Sequence, residues 1–240
     1  MEILGHRGWP APAHPENTLA AFGAALAAGA DGVELDVRLT RDGAAVCCHD
    51  ADLQRSAGVP GRVAELTCEQ VRRVPLLGGE RVPLLQEAVA LVAGRGRLVL
   101  DLKPEPRAAE LVEAVLAALA AGGVRPADVV LSSFDPDLLE AFAPVAPGLA
   151  RALLLDVGDD VRAGVEHARV RGHHGVHVPQ RAVLSDGPAV RSAVAAGLDV
   201  RVWTVNRVVD ARLCDVLGVC GVITDVPDLL HAGLRLSAAA

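Results

Sequence analysis

Short runs of β-branched and other apolar residues alternate along this chain with longer stretches rich in alanine and leucine. This alternation is typical of a parallel sheet whose strands are joined by crossover helices. The strand candidates cover residues 3–6, 32–38, 45–49, 98–102, 129–132, 151–155, 175–178, 200–205 and 221–224. The clearest helix candidates cover residues 18–28, 108–121, 136–142, 188–196 and 208–217. The sequence therefore predicts an α/β fold.

The link between the second and third strand candidates, residues 39–44, is too short for a parallel crossover, which needs about a dozen residues or more. It contains Asp42-Gly43, a dipeptide typical of two-residue hairpin turns. We therefore predict that these two strands are antiparallel, in a register that places Asp36 opposite His49. Because side chains alternate along a strand, Glu34, Asp36 and His49 would then share one face.

The other strand candidates match a (β/α)8 barrel, and we predict a TIM-like barrel to which this early hairpin is added. A doubly wound open sheet is the lesser alternative. The alternation breaks in residues 51–79, where glycine and proline stand among polar residues. We expect a small cap segment here, inserted after the third strand at about residues 51–80. A chain of 240 residues suffices for a single domain, so we assign residues 1–240 to one barrel domain.

Charge and aromatic content disfavour nucleic acid as a partner. The formal net charge is -7, and aromatic residues make up 2% of the chain. Phosphate backbones attract basic surfaces, and proteins that bind single strands stack the bases on aromatic side chains. We therefore expect a small-molecule partner and no nucleic acid.

Cysteine usage and the apolar runs bear on the cellular compartment. The five cysteines are odd in number and lack CxxC spacing, which favours reduced thiols inside the cell. The first residues lead directly into Gly5-His6, without the pattern of a secretory leader. The apolar runs are broken before the ~18 to 20 residues that span a bilayer. We expect a cytoplasmic monomer or small homo-oligomer with no stable membrane insertion.

Polar side chains that could carry chemistry cluster at the ends of five strand candidates. In a TIM barrel the carboxyl ends of the strands face the active site. The residues at these ends are His6-Arg7, Glu34 with Asp36, His49-Asp50, Asp101 with Lys103, and the segment Trp203-Thr204-Val205-Asn206. We therefore expect the functional site to be built from them.

Glu34 and Asp36 project from the same face of an otherwise apolar strand, because they lie two residues apart. Two like charges in the interior are costly unless a cation neutralises them. Hard oxygen ligands favour Mg²⁺ or Ca²⁺ over zinc, so we predict one divalent metal ion with Asp101 as its third ligand. The alternatives are a solvated strand face and an ion pair with Arg38.

His6 and His49 are candidates for a general acid and a general base, since imidazoles titrate nearest neutral pH. The adjacent Arg7 can donate two hydrogen bonds to a phosphate, and Lys103 can contact an anion at the metal. Each histidine is also compatible with a structural role, and Lys103 with an internal salt bridge to a carboxylate. The histidines interpreted as loop or supporting residues are His173, His174 and His177.

A series of short motifs runs in order along nearly the whole chain. They are Gly5-His6-Arg7-Gly8, Pro15-Glu16-Asn17-Thr18, Glu34-Leu35-Asp36-Val37, His49-Asp50, Ser133-Phe134, Trp203-Thr204-Val205-Asn206 and Ile223-Thr224-Asp225. In this order they resemble the motifs of the glycerophosphodiester phosphodiesterase family. The resemblance implies a TIM barrel that uses a divalent metal ion to hydrolyse glycerophosphodiesters to glycerol 3-phosphate and an alcohol.

The resemblance also implies roles for individual residues. It implies an acid/base pair in His6 and His49, metal ligands in Glu34 and Asp36, and phosphate contacts in Arg7 and Lys103. In the family mechanism the glycerol 2-hydroxyl attacks phosphorus, while one histidine removes its proton and the other protonates the departing alcohol. Water then opens the cyclic phosphate. Trp203 is a substrate contact that could pack against the glycerol carbons, with core filling as the alternative.

The chain departs from the family pattern at two positions near the site. Asp101 stands where the family usually has glutamate, so the third ligand is one methylene shorter. Arg207 follows Asn206 where the family usually has aspartate, which adds a positive charge near the mouth. Asn17 could assist the site together with Glu16, or it could cap the helix that follows.

Two other functions remain open at this point. One is a lysophospholipase D-like phosphodiesterase, which would need an apolar trough or a membrane-facing patch. The other is a catalytically silent barrel that binds phosphorylated ligands. The presence of both His6 and His49 argues against silent binding, because binding alone needs no acid/base pair.

Overall fold

The computed structural model describes residues 1–11 and 14–238. The strands in these residues are β1 (Glu2–His6), β2 (Gly32–Leu39), β3 (Ala45–Cys47), β4 (Arg97–Leu102), β5 (Val129–Ser133), β6 (Ala150–Leu154), β7 (Gly175–Pro179), β8 (Asp199–Trp203) and β9 (Gly221–Thr224). The helices are α1 (Leu19–Ala27), α2 (Gln54–Ala57), α3 (Cys68–Arg73), α4 (Leu85–Val92), α5 (Ala108–Gly122), α6 (Pro136–Phe142), α7 (Val161–Val170), α8 (Gln180–Ser185), α9 (Gly187–Ala195), α10 (Val208–Leu217) and α11 (Pro227–Ala238). Within these described residues, no helix combines the length and the apolar character needed to cross a membrane.

Eight parallel strands close into a barrel. The ring runs in the order β1, β9, β8, β7, β6, β5, β4 and β2, and β2 pairs again with β1 to close it. β3 lies outside the ring and pairs with β2 in the antiparallel direction. The predicted TIM-like barrel with an added hairpin is therefore confirmed, and the open-sheet alternative is wrong.

The predicted register of the β2–β3 hairpin is wrong by one residue. The Cys48 amide donates a hydrogen bond of 3.1 Å to the Asp36 carbonyl oxygen, so Asp36 faces Cys48 and not His49. β3 ends at Cys47, and His49 therefore lies in the segment that follows the strand.

The turn of this hairpin explains the shift in register. The Thr40 amide donates to the Ala44 carbonyl oxygen at 2.9 Å, which leaves a loop of residues 41–43 in place of a two-residue turn. The Thr40 hydroxyl donates to Asp42 at 2.7 Å and accepts from the Ala44 amide at 3.0 Å. Gly43 has φ 82°, the left-handed conformation that ends this type of loop. The Asp-Gly dipeptide thus predicts the turn correctly but not its length.

Side chains of β2 alternate between the inside of the barrel and the surrounding helices. Val33, Leu35 and Val37 are fully buried in the apolar layer between sheet and helices. Glu34 and Asp36 consequently point into the barrel, as the alternation of strand residues requires.

The barrel interior is apolar in its middle and ionic at the end where the strands begin. The inward-facing apolar side chains are Leu4, Val99, Val130, Ala152 and Ile223. At the amino-terminal end, Glu2 accepts hydrogen bonds from Arg201 at 2.8 Å and from Arg97 at 3.0 Å. The apolar layer thus separates this ionic cluster from the end of the barrel where the strands finish.

The segment between β3 and α4 has an apolar cluster of its own. Its buried members are Val46, Cys48, Leu53, Val63, Val71, Leu76 and Val82. Helices α2 and α3 belong to this segment, and the Thr67 hydroxyl caps α3 by accepting from the Gln70 amide at 3.2 Å. The role of this segment as a cap, with bounds at about 51–80, stays a prediction. The assignment of the chain to a single domain also stays a prediction.

Candidate active site

A cavity of about 120 Å³ opens where the barrel strands end. Its walls come from all eight barrel strands and from the segments that follow β1, β3, β4 and β5. The residues that line it are His6, Arg7, Glu34, Asp36, His49, Asp101, Lys103, Ser132, Phe134, Leu154, His177, Trp203 and Ile223. The cavity thus brings together all eight site residues that the sequence predicts.

Three buried carboxylates form a candidate metal site in this cavity. One oxygen each from Glu34, Asp36 and Asp101 lies within 4.8 Å of the others. Their exposed fractions are 6%, 1% and 6%, and the Oδ1 atom of Asp101 is buried without a hydrogen-bond partner. A buried, unpaired carboxylate oxygen is costly unless a cation or donor meets it. The donor set is all oxygen and therefore fits a hard divalent cation.

Burial shifts the pKa values of these carboxyl groups, and their neighbours decide the direction. Burial, followed by repulsion from Asp36, raises the pKa of Glu34 to about 7. Burial also raises the pKa of Asp101 to about 6, although Lys103 opposes the shift. Burial would raise the pKa of Asp36 as well, but attraction to Lys103 and Arg7 outweighs it and lowers the pKa to about 2. Ionising all three groups together is unfavourable, so the cluster favours a bound cation.

Lys103 bridges two of the carboxylates. Its Nζ atom lies 2.6 Å from Oδ1 of Asp36 and 2.5 Å from Oδ2 of Asp101. The internal salt bridge, which the sequence left as an alternative for Lys103, is therefore present. Because Lys103 also lines the cavity, its ammonium group lies where an anionic ligand would enter.

Arg7 is held beside the carboxylates by both its backbone and its side chain. Its amide donates to Oε2 of Glu34 at 3.0 Å, and its Nε atom lies 3.2 Å from Oδ2 of Asp36. Its guanidinium also donates to Glu16 at 3.0 Å. The φ angle of Arg7 is 55°, in the left-handed region, which non-glycine residues adopt at a cost that neighbouring contacts must offset. The guanidinium is thus fixed at the cavity wall.

Asn17 holds Asp36 through a reciprocal pair of hydrogen bonds. Its Nδ2 atom donates to Oδ2 of Asp36 at 2.7 Å, and its Oδ1 atom accepts from the Asp36 amide at 3.1 Å. Helix α1 is capped instead by Thr18, whose hydroxyl accepts from the Ala21 amide at 3.2 Å. The interpretation of Asn17 as a helix cap is therefore wrong, and its contact with Asp36 supports the alternative that it assists the site, which stays a prediction.

His6 is oriented by a carboxylate from the other end of the chain. Its Nδ1 atom lies 2.6 Å from Oδ1 of Asp225, whose Oδ2 accepts from Asn206 at 2.7 Å. Burial lowers the pKa of His6, but the hydrogen bond to Asp225 and the charge of Glu34 outweigh it, and the pKa is raised. The charged imidazolium is therefore favoured at this position.

His49 is oriented by its neighbour in the sequence. Its Nδ1 atom lies 2.7 Å from Oδ1 of Asp50, and Arg55 donates to Oδ2 of Asp50 at 2.5 Å. Burial lowers the pKa of His49, and the charge of Lys103 adds to this, despite the opposing carboxylates. Arg38 donates two hydrogen bonds, of 2.7 and 2.9 Å, to the His49 carbonyl oxygen. Among the described residues, Arg38 therefore forms no ion pair with Glu34 or Asp36, so the alternative of an ion pair with Arg38 is wrong.

The wall opposite the charged residues is largely apolar. Trp203 contacts Phe134 edge to face, with ring centroids 5.9 Å apart, and both residues line the cavity. Leu154 and Ile223 complete this apolar wall. The cavity thus joins a charged half, suited to a phosphate, to an apolar half, suited to carbon atoms.

Sequence reasoning missed several residues that support the site. The sequence shows Asp225 only as part of a motif and Asp50 and Asn206 only as strand-end residues without an assigned role, because their contacts depend on chain folding. The aspartate that follows the last barrel strand was a usable signal for a partner of His6, because that strand neighbours β1 in a closed barrel. His177 falls within the strand candidate 175–178 but was interpreted as a loop or supporting residue; it lies on β7 and lines the cavity.

Comparison with known proteins agrees with this arrangement. The model of the glycerophosphoryl diester phosphodiesterase family matches residues 6–229. A glycerophosphodiester phosphodiesterase of Bacillus altitudinis is 31% identical over 239 residues, which cover 95% of both chains. One of Caldanaerobacter subterraneus is 30% identical over 237 residues and again covers 95% of both.

Solved structures share the fold over nearly the same length. The Thermotoga maritima glycerophosphodiester phosphodiesterase superposes with a TM-score of 0.81 at 30% identity, covering 97% of each chain. An Oleispira antarctica phosphodiesterase, solved with its product sn-glycerol-3-phosphate, gives a TM-score of 0.88 at 26% identity and covers 98% of this chain and 97% of that one. With a family model that spans almost the whole barrel and relatives of this identity along its full length, the chain belongs to the glycerophosphoryl diester phosphodiesterase family and is a phosphodiesterase of that type.

Proposed function

We propose that this protein hydrolyses glycerophosphodiesters, such as glycerophosphocholine or glycerophosphoethanolamine, to glycerol 3-phosphate and an alcohol. The observation that carries the proposal is the placement of His6 and His49, each oriented by its own carboxylate, in one cavity. The same cavity holds Arg7 and Lys103, which suit a phosphate. A silent binding barrel would not need two histidines held in this way.

The carboxylates of Glu34, Asp36 and Asp101 would hold one divalent ion, Mg²⁺ or Ca²⁺. When bound, such an ion neutralises phosphoryl charge and polarises the phosphorus centre. Asp101 is shorter than the glutamate that is usual in the family. Its unpaired, buried Oδ1 atom nevertheless supports a role as a ligand.

The two histidines have opposite pKa shifts, which supports a division of labour between them. The lowered pKa of His49 favours the neutral imidazole at pH 7, so His49 acts as the base. It takes the proton of the glycerol 2-hydroxyl as that oxygen attacks phosphorus. The raised pKa of His6 favours the imidazolium, which donates its proton to the alcohol oxygen as the phosphorus–oxygen bond breaks. The products of this step are a cyclic phosphate and the free alcohol.

The second step reverses the proton transfers. His6, now neutral, takes a proton from water as the water oxygen attacks phosphorus. His49, now charged, returns a proton to the 2-oxygen as the ring opens, and glycerol 3-phosphate forms. In both steps Arg7 and Lys103 face the negative charge that grows on the phosphoryl oxygens, which is the placement that lowers a barrier.

Release of glycerol 3-phosphate from glycerophosphocholine and glycerophosphoethanolamine tests this proposal. Metal-stripped protein would be assayed alone and after addition of Mg²⁺, Ca²⁺ or Mn²⁺. We expect release only after a metal is restored. His231→Gln, treated in the same way, should show the same metal-dependent release, since His231 lies on α11 and outside the cavity lining. Release of choline from lysophosphatidylcholine but not from glycerophosphocholine would favour the lysophospholipase D-like alternative, and no release from either would favour a silent binding barrel.

A further inference from the structure

His177 is a cavity residue to which the proposed mechanism gives no task. It lies on β7, its side chain is fully buried, and it lines the same cavity as the two catalytic histidines. Neither of its ring nitrogens, Nδ1 or Nε2, has a hydrogen-bond partner among the described residues. A buried imidazole without partners is costly, so a ligand group that reaches its ring nitrogens would stabilise it.

The position of His177 separates it from the charged half of the cavity. In the sheet it is level with Leu154 on β6 and Arg201 on β8. Burial, together with the charge of Arg201, lowers the pKa of His177 well below its usual value. The ring is therefore neutral at pH 7 and offers one donor and one acceptor.

The other residues on this side of the cavity leave few polar groups for a ligand. Phe134, Leu154 and Ile223 are apolar, and the Ser132 hydroxyl already donates to the Leu100 carbonyl oxygen at 3.2 Å. Within residues 1–11 and 14–238, the polar side-chain atoms of this wall that lack a hydrogen-bond partner are the two ring nitrogens of His177 and Nε1 of Trp203.

A glycerophosphodiester brings one hydroxyl that the proposed mechanism does not use. The phosphate is assigned to Arg7 and Lys103, the 2-hydroxyl attacks phosphorus, and the departing alcohol must leave toward solvent. The glycerol carbons then lie against the apolar wall, and the terminal hydroxyl needs a partner there. A hydroxyl is both donor and acceptor, which matches a neutral imidazole.

We propose that His177 is a specificity-determining residue that hydrogen-bonds the terminal hydroxyl of the glycerol moiety. This inference rests on the proposed function, and it narrows the substrate class to diesters whose terminal hydroxyl is free. An acyl chain on that hydroxyl, as in a lysophospholipid, would be directed at a wall where His177, Ser132 and Ile223 are at most 2% exposed. The preference for a free hydroxyl has two causes. The ring nitrogens of His177 lack hydrogen-bond partners, and the wall around them is closed to an acyl chain.

Calorimetric binding of two phosphates at a fixed Mg²⁺ concentration tests the inference without turnover. The probes are glycerol 3-phosphate and 2-hydroxypropyl phosphate, which lacks only the terminal hydroxyl. We expect the natural protein to bind glycerol 3-phosphate about 10- to 100-fold more tightly, the range for a buried group left unpaired. His177→Leu should abolish this preference by weakening glycerol 3-phosphate alone, and His177→Gln, which keeps a donor and an acceptor, should retain part of it.

The outcomes separate this inference from the proposed function. Equal affinities of the natural protein for both phosphates, or a preference that survives in His177→Leu, would overturn the role of His177. If His177→Leu lost affinity for both phosphates to the same extent, the role of His177 would also be overturned, since that result indicates a structural residue. A preference that depends on His177 in a protein without diesterase turnover would support the inference and contradict the proposed function. His231→Gln serves as the control, because a histidine outside the cavity should leave both affinities unchanged.

Discussion

His6 donates a hydrogen bond of 2.6 Å from Nδ1 to Asp225, a residue 219 positions further along the chain. Asn206 fixes the same carboxylate by donating to its second oxygen at 2.7 Å and by accepting from its amide at 2.9 Å. The imidazole is thereby held in one orientation with Nε2 left for chemistry. Closure of the barrel makes this contact, because β9 and β1 are neighbours.

Replacement of Asp225 by asparagine should shift the pH dependence of the reaction. Asp225 raises the pKa of His6, and the proposed acid is active when protonated, so activity extends to higher pH in the natural protein. In Asp225→Asn the pKa of His6 should fall, and the alkaline limb of kcat/KM should move down by about one pH unit. Asp228→Asn, at an exposed position on α11, is the control. An alkaline limb that stays in place would contradict the role of Asp225.

Replacement of Glu34 by glutamine should weaken metal binding. Glu34 contributes one of the oxygens of the carboxylate cluster, and the amide keeps the shape of the side chain without its charge. We expect the affinity for Mg²⁺ or Ca²⁺ in calorimetric titration to fall by at least about tenfold. Glu113→Gln, an exposed glutamate on α5, should titrate like the natural protein. Unchanged titration of Glu34→Gln would show that this carboxylate is structural.

Replacement of Asn17 should test how the backbone and side chain together hold Asp36. Asn17→Ala removes the reciprocal hydrogen bonds with Asp36, and we expect a loss of about 1–3 kcal/mol in the free energy of unfolding, measured in urea. Asn17→Gly loses the same bonds but adopts the observed φ of 56° readily. It should therefore be more stable than the alanine variant, and the reverse order would contradict a strained backbone at this position.

Local patterns predicted the barrel and most of its site because both depend on strand periodicity. Glu34 and Asp36 share the inward face of β2, whichever residue lies opposite them on β3. The register itself was wrong by one, since the side chain of Thr40 stabilises a three-residue loop that the Asp-Gly dipeptide alone does not reveal.

Contacts between distant segments account for what the sequence did not predict. Asn17 hydrogen-bonds Asp36, which lies 19 positions further along the chain. Nothing in the local sequence around Asn17 distinguishes this contact from a helix cap. His177 was one of three histidines near a strand that were interpreted as loop or supporting residues, and the inward direction of its side chain places it in the cavity. For Lys103 the structure shows the internal salt bridge, and its contact with an anion stays a prediction.

Substrates with different leaving groups test the acid and base roles of His6 and His49 most directly. A choline leaving group needs a proton from His6, but p-nitrophenol is a good leaving group that departs without one. His6→Ala should therefore lose about 10²- to 10⁴-fold in kcat/KM on glycerophosphocholine and far less on glycerophosphoryl p-nitrophenol. His49→Ala should lose activity on both substrates, because attack by the 2-hydroxyl still needs a base. Both variants should keep the melting temperature of the natural protein within a few degrees, since neither side chain packs in the apolar layers.

The decisive measurement is the ratio of kcat/KM on these two substrates for the natural protein, His6→Ala and His49→Ala. We predict a ratio that shifts strongly toward the p-nitrophenyl diester in His6→Ala alone. An unchanged ratio in His6→Ala, or a strong shift in His49→Ala instead, would contradict the assignment of acid and base.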